Sequence, residues 1–277
     1  MSKLLSIRKN VYLFKSSYWN INSGLLLNEE GGTVIDPAYS PSELKQMAEF
    51  IEDNNLPQKY LIYTHSDFDH ITGEPYFPDA VKISQENFRY CSCQTQMTYL
   101  KEADKANEIE RSEFVFPLPD ITFEDRLNLD LKDEKLSLFA APGHTSDSIF
   151  VLLNKEKILF SGDTVSDLEF PLIFDSGKKY GDSLRLLQNL IKEYDINCVI
   201  PGHGTPAEGK EEILERIKYD LDYLDNLVCK IEDCFYQGLA TMEIISFLKE
   251  LRYKGDYIDA DLMPVHIKNI ETILNEL

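Results

Sequence analysis

Positive charge is scarce in this sequence. Its 28 Lys and Arg stand against 48 Asp and Glu, a net charge of -20. A field of that sign repels phosphate backbones and anionic lipid surfaces, so nucleic acid is not expected as a general partner. Long apolar runs are missing as well. No window approaches the roughly 18 uninterrupted apolar residues that span a bilayer. The opening MSKLLSIRKNVYLF, with charges at Lys3, Arg8 and Lys9, lacks the apolar stretch and small-residue cleavage site of an export signal. A cytoplasmic protein with no membrane partner is expected. Cysteine is sparse and follows no framework: Cys91, Cys93, Cys198, Cys229 and Cys234 are odd in number and scattered, which fits reduced thiols. Cys91 and Cys93 have neither a second Cys pair nor a nearby His with which to build a metal site.

The signatures of covalent acyl transfer are absent too. There is no G-x-S-x-G elbow and no Cys paired with a spare His, so a serine or cysteine nucleophile is not expected. The run from Gly204 to Lys210 approaches a phosphate-binding loop, but Glu211 replaces the Ser or Thr that would hold Mg²⁺, and Pro206 stiffens it. It reads as a turn opening a helix.

What remains is globular: 43% apolar and 27% charged residues over 277 positions, enough for one large domain or two small ones. The segments VYLF, SGLLL and GTVID, between Leu5 and Asp36, read as an antiparallel meander. A helix follows from Pro41, with Leu44, Met47, Ala48 and Ile51 at helical spacing, and the chain returns as the strand KYLIYT. A second cycle places a helix within 86–112, short strands between Ile121 and Phe160, a helix over Ser183–Glu193 and the strand NCVI. Strands alternating with helices predict the α/β class. Beyond Pro206 the chain turns helical. Leu214, Ile217, Leu221, Leu224, Val228, Ile231 and Phe235 mark one stripe of a long amphipathic helix that packs on the protein's own body or forms a homodimer seam. Shorter helices are expected near Met242–Leu251 and Val265–Leu277, which divides the chain into an αβ domain, 1–207, and a helical appendage, 208–277.

Four apolar strand-like runs end in loops bearing metal-competent side chains: YLIYTHSDFDH, LSLFAAPGH, KILFSGD and NCVIPGH. They deliver His65, Asp67, Asp69, His70, His144, Asp163 and His203. Four of the five His fall at these strand ends, where α/β sheets hold site loops rigidly, and that placement argues for a metal site over scattered structural histidines. The first loop crowds four ligand-competent groups into six residues, more than one ion takes from a tight turn, so two divalent ions are expected. Two ions need a bridging anion, a task suited to the two oxygens of Asp163. Gly143, Gly162 and Gly202 precede His144, Asp163 and His203, letting the backbone turn sharply beside the cluster. With two ions bound, a hydroxide held between them is the expected nucleophile.

This ordered set resembles the metallo-β-lactamase fold superfamily, with its H-x-H-x-D-H, Gly-His, Gly-Asp and late Gly-His pattern, over about the first 207 residues. The resemblance implies a four-layer αβ/βα sandwich, with His65, Asp67 and His144 on a first metal, Asp69, His70 and His203 on a second, and Asp163 bridging. It implies a catalytic Asp69 that both ligates and orients the hydroxide. Asp67 departs from the pattern, standing where its second His belongs. Either it ligates, as a Glu does at the matching position of flavodiiron proteins, or it faces solvent and leaves the first site weak. As a ligand it lowers the cluster's positive charge and shifts preference from zinc toward iron or manganese. The expected function is hydrolysis of a small ester, thioester or lactone. An iron-dependent oxidoreductase, a phosphodiesterase and a metal-binding protein without turnover are the alternatives. The helical appendage is expected as one wall of the pocket, with His266 exposed or capping in preference to facing substrate, and residues 167–180 supply Phe170, Pro171, Phe174 and Tyr180 as lining or as core.

Overall fold

A computed structural model describes residues 3–112 and 114–277. The first sheet runs in chain order through β1 (Lys3–Arg8), β2 (Val11–Lys15), β3 (Asn22–Asn28), β4 (Gly31–Ile35), β5 (Gln58–Ile62), β6 (Val81–Gln85) and β7 (Ile121–Phe123). The second contains β8 (Arg126–Asp130), β9 (Lys135–Ala140), β10 (Ile149–Leu153), β11 (Ile158–Gly162), β12 (Cys198–Pro201) and β13 (Ala207–Glu208), in the order β13-β12-β11-β10-β9-β8.

Strand alternation explains the layering. In β10 Ile149, Val151 and Leu153 enter the core between the sheets, while Phe150 and Leu152 turn to the helices behind. In β5 Leu61 and Ile62 divide in the same way. Such strands are buried on both faces and read as continuous apolar runs. The first sheet is covered by α1 (Pro41–Asp53), through Leu44, Met47 and Ile51, and by Leu100 of α2 (Cys93–Ala106). Behind the second sheet pack α3 (Gly177–Glu193), α4 (Lys210–Tyr236), α5 (Thr241–Leu248) and α6 (Met263–Leu274), with a small hairpin of β14 (Arg252–Tyr253) and β15 (Asp256–Tyr257). The four-layer αβ/βα sandwich expected from the sequence is the observed fold. Among the described residues, no helix is long and apolar enough to cross a membrane.

Several elements differ from expectation. The strand β6 was not anticipated, and α2 occupies only part of 86–112, because a short helical turn over Glu86–Tyr90 precedes it and the chain is extended at Cys91. Helix α3 starts six residues before Ser183: the Ser176 hydroxyl caps it by accepting from Lys179 N, and Gly177 and Gly181, poor helix formers, had masked its first turns. The long helix buries a face rotated from the expected stripe. Ile213, Ile217, Leu224, Leu227 and Ile231 are buried, whereas Leu214 and Phe235 are 36% and 47% exposed. Arg216, Asp220 and Tyr223 occupy that buried face instead, each with internal hydrogen-bond partners, and an apolar count passes over them.

Candidate metal centre

The strands β9, β11 and β12 run in one direction, since β10 is antiparallel to both β9 and β11 and β12 is parallel to β11. Their C-terminal ends therefore open on one edge of the sandwich, delivering His144, Asp163 and His203 together. The loop after β5 brings His65, Asp67, Asp69 and His70 to the same edge. Gly202 is required there, because a Cβ would collide with Asp163 Oδ1. Gly143 has φ +136° against the backbone of Tyr180, so its bareness serves helix packing beside the cluster.

The seven side chains meet. His144 Nε2 lies 3.2 Å from Asp67 Oδ2, and His65 Nε2 lies 3.7 Å from the same oxygen. Asp67 thus turns toward the cluster and away from solvent. Asp69 Oδ2 is 3.3 Å from His203 Nε2, which is 3.3 Å from His70 Nε2. Asp163 touches both groups: Oδ2 is 3.6 Å from His65, 3.7 Å from His144 and 3.5 Å from His203, and Oδ1 is 3.3 Å from His70. Ligand atoms arranged tetrahedrally at Zn–N and Zn–O lengths stand about 3.3 Å from one another, so these spacings suit a divalent ion.

Two orphaned atoms support the same fit. His65 Nε2 and Asp163 Oδ1 are buried without a hydrogen-bond partner, in a centre built of nitrogen and carboxylate donors. Two groups, His65 with Asp67 and His144, and Asp69 with His70 and His203, each have ligand atoms within 4.8 Å of one another. A third, Asp36 with His65 and His70, competes poorly for an ion, because Asp36 already accepts from Thr64 N at 2.7 Å and Thr64 Oγ1 at 2.6 Å.

Electrostatics separate the histidines. Burial, joined by the nearby charge of His70, pushes His65 down to about 4 and leaves it a neutral donor. Burial also disfavours charge on His144, but the Asp67 hydrogen bond and Asp163 outweigh it and carry His144 up to about 9. His70 and His203 are likewise raised against burial, chiefly by Asp163. Burial would raise the carboxyls; instead His203, His70 and His65 hold Asp163 well below the usual carboxylate range, and His144 with His65 lowers Asp67.

The arrangement has counterparts. Residues 18–203 match the family model described as the metallo-beta-lactamase superfamily. The chain belongs to that superfamily. A hydroxyacylglutathione hydrolase of Pelagibacter ubique is 26% identical over 72% of this chain and 70% of its own length. A linear primary-alkylsulfatase of a Pseudomonas strain is 20% identical over 79% of this chain and 48% of its own. Among solved structures, a stereoselective inverting sec-alkylsulfatase from Pseudomonas superposes with a TM-score of 0.75 at 12% identity, covering 100% of this chain and 50% of that one, a likeness of fold. The chain spans about half the length of the first curated relatives it matches.

Around the candidate centre of this metallo-beta-lactamase superfamily member the structure adds residues that the sequence had not singled out. His203 Nδ1 donates to Trp19 O at 2.9 Å, and Asn22 braces the same loop by donating to Pro201 O and Gly204 O. His144 Nδ1 donates to Leu172 O at 2.8 Å. Gln96 donates to Asp67. Glu169 is a half-buried carboxyl, raised by burial and sensing the charges of His203, Asp163 and Asp69. Asp36, which holds Thr64 beside the cluster, was likewise not singled out, yet it carried a signal, for it ends the segment GTVID as the candidate ligands end theirs.

Beside the centre lies a cleft of about 870 Å³. Asp67 and Phe68 form its floor, Thr95, Gln96 and Tyr99 of α2 one wall, and Pro264, Val265 and Lys268 of α6 the other, with Phe174 between. The helical segment thus does contribute a wall. The 167–180 segment divides: Phe174 lines the cleft, whereas Phe170 and Tyr180 are 4% and 1% exposed core residues. His266 does not line the cleft, and of the two expected roles, exposed or capping, it takes the second from a buried position, bonding the last carbonyl of α5. It is fully buried, Tyr223 Oη donates to its Nδ1 at 2.8 Å, and its Nε2 donates to Leu248 O at 2.9 Å. Burial lowers its pKa, consistent with a neutral ring locking α4, α5 and α6 together.

Proposed function

We propose that the protein is a metal-dependent hydrolase holding two divalent ions and acting on a small ester, thioester or lactone. In this reading His65, Asp67 and His144 would hold the first ion, Asp69, His70 and His203 the second, and Asp163 would serve both. The observation that carries it is the reach of Asp163 to His65 and His144 on one side and to His70 and His203 on the other. Two like charges so close need an anion between them. The relatives named as hydroxyacylglutathione hydrolase and alkylsulfatase support hydrolysis as the reaction class.

The ions supply Lewis acidity and a nucleophilic water at neutral pH. The chain's residues supply position. Asp69, 9% exposed beside His203, would be placed to accept a hydrogen bond from an attacking water and set its direction. Phe68, Tyr99 and Phe174 shield the body of the substrate from solvent, and residues 208–277 close the cleft through α6. A second reading, an iron-dependent oxidoreductase, is favoured by Asp67, an oxygen donor where the family pattern has His.

The test is metal content of protein purified without added metal, followed by turnover with stripped and reloaded protein. The panel holds an ester, a thioester, a lactone, a phosphodiester and an alkyl sulfate. Metal-dependent cleavage of one of the first three supports the proposal, and cleavage confined to the last two moves the substrate class. Coloured, iron-loaded protein without hydrolysis favours the second reading. No metal-dependent rate on any compound sinks the enzyme reading.

A further inference from the structure

The ligands of the two proposed ions are held by different parts of the fold. His70 Nδ1 lies 3.3 Å from Asp36, at the end of β4, and His203 Nδ1 bonds to Trp19 O between β2 and β3. Those supports belong to the sandwich, as does that of His65, whose Nδ1 lies 3.0 Å from Thr64 Oγ1, itself held by Asp36. Asp67 and His144 are supported from the cleft walls.

Gln96, on α2, bridges one peptide unit of the first loop. Its Nε2 donates to Asp67 Oδ1 at 2.7 Å, and its Oε1 accepts from Phe68 N at 2.9 Å. The amide has one workable orientation, since exchanging O and N would set a carbonyl against a carboxylate and an NH₂ against an N–H. With Oδ1 so engaged, Oδ2 is the oxygen that faces His144 and His65.

Asn269, on α6 and fully buried, does the equivalent for His144 through the backbone. Its Nδ2 donates to Pro171 O at 2.7 Å and its Oδ1 accepts from Ile173 N at 2.8 Å, so both peptides flanking Leu172 are clamped. Leu172 O then accepts His144 Nδ1–H, fixing the tautomer that leaves Nε2 a lone pair for a metal. The neighbours of both amides, Thr95 and Tyr99 beside Gln96 and Lys268 beside Asn269, line the cleft.

We infer that Gln96 and Asn269 are positioning residues for the first ion, acting on two of its three ligands, Asp67 and His144, and on none of the second ion's. This rests on the two-ion reading above. Loss of an outer-shell partner weakens metal binding by about 10–100-fold, and here the loss falls on one of two stepwise constants.

The experiment titrates the metal-stripped full chain with Zn²⁺ against a chromophoric chelator, and with Co²⁺ followed by its absorption bands. The variants are Gln96→Leu, Asn269→Leu and the counter-variant Asp36→Asn. The inference expects two equivalents in the parent protein, one constant weakened about 10–100-fold in the first two variants, and both constants weakened in Asp36→Asn, since Asp36 faces His70 and reaches His65 through Thr64. Constants that stay unchanged, or that fall together, in Gln96→Leu overturn it. If Asn269→Leu does not fold, Gln96→Leu, half-buried at the cleft, decides alone. A single equivalent in the parent protein instead overturns the two-ion reading and the inference with it.

Discussion

Asp36 Oδ2 stands 3.3 Å from His70 Nδ1 while accepting the Thr64 hydroxyl at 2.6 Å, and Asp36 Oδ1 accepts Thr64 N at 2.7 Å. One carboxylate at the end of β4 thereby ties that strand to the ligand loop that follows its neighbour β5. Asp36→Ala leaves two buried donors of Thr64 unanswered, at about 1–3 kcal/mol each. Chemical denaturation of the metal-free variant should show a loss of that order, and an unchanged midpoint would contradict the tie.

Metal loading should release protons. With His144 raised to about 9, the metal-free protein carries that proton at pH 7, whereas His65, lowered to about 4, is already neutral. A metal ligand must be deprotonated, so apparent affinity should climb as pH rises toward 9. Calorimetry at pH 7 in buffers of different ionisation enthalpy measures the release. Heats that do not depend on the buffer would refute it.

Asp220 accepts from Tyr253 Oη at 2.7 Å and from Val165 N at 3.2 Å, and burial pushes its carboxyl up to about 7. A carboxyl raised on folding contributes stability below its unfolded value, near 4, that is lost as pH rises through about 7. Asp220→Asn has no such loss. The stability of the variant relative to the parent should therefore improve from pH 5 to pH 8, as read by urea denaturation at each pH; a constant difference counts against the assignment.

Among the described residues that line the cleft, Lys268 is the one cation, in a chain of net charge -20. Lys268→Glu should raise KM for an anionic substrate roughly 3–10-fold at low salt, less at high salt, with kcat and the KM of a neutral analogue little changed. Steady-state kinetics on a charged and neutral pair, once a substrate is in hand, checks the difference.

The seven candidate ligands that the fold brings together were legible because each sits at or just after the end of an apolar run, so that strand period and loop chemistry are read from neighbouring residues. His65, Asp163 and His203 needed no knowledge of packing. Helix α3 was legible only in part, since Gly177 and Gly181 weaken its local signal while the Ser176 cap and the contact of Gly177 with Ile273 start it.

By itself, the sequence determined the α/β class, the sheet-buried runs and the seven candidate donors, because period and side-chain chemistry are local properties. Tertiary structure alone decided where Asp67 points, through Gln96, 29 residues away, and which ring nitrogen His144 offers, through Leu172 and Asn269. It also decided that His266 is a core histidine and which face of α4 is buried. The physical reason is the same in each case. A buried polar group takes whatever partner packing brings within about 3 Å, and that partner lies far away along the chain.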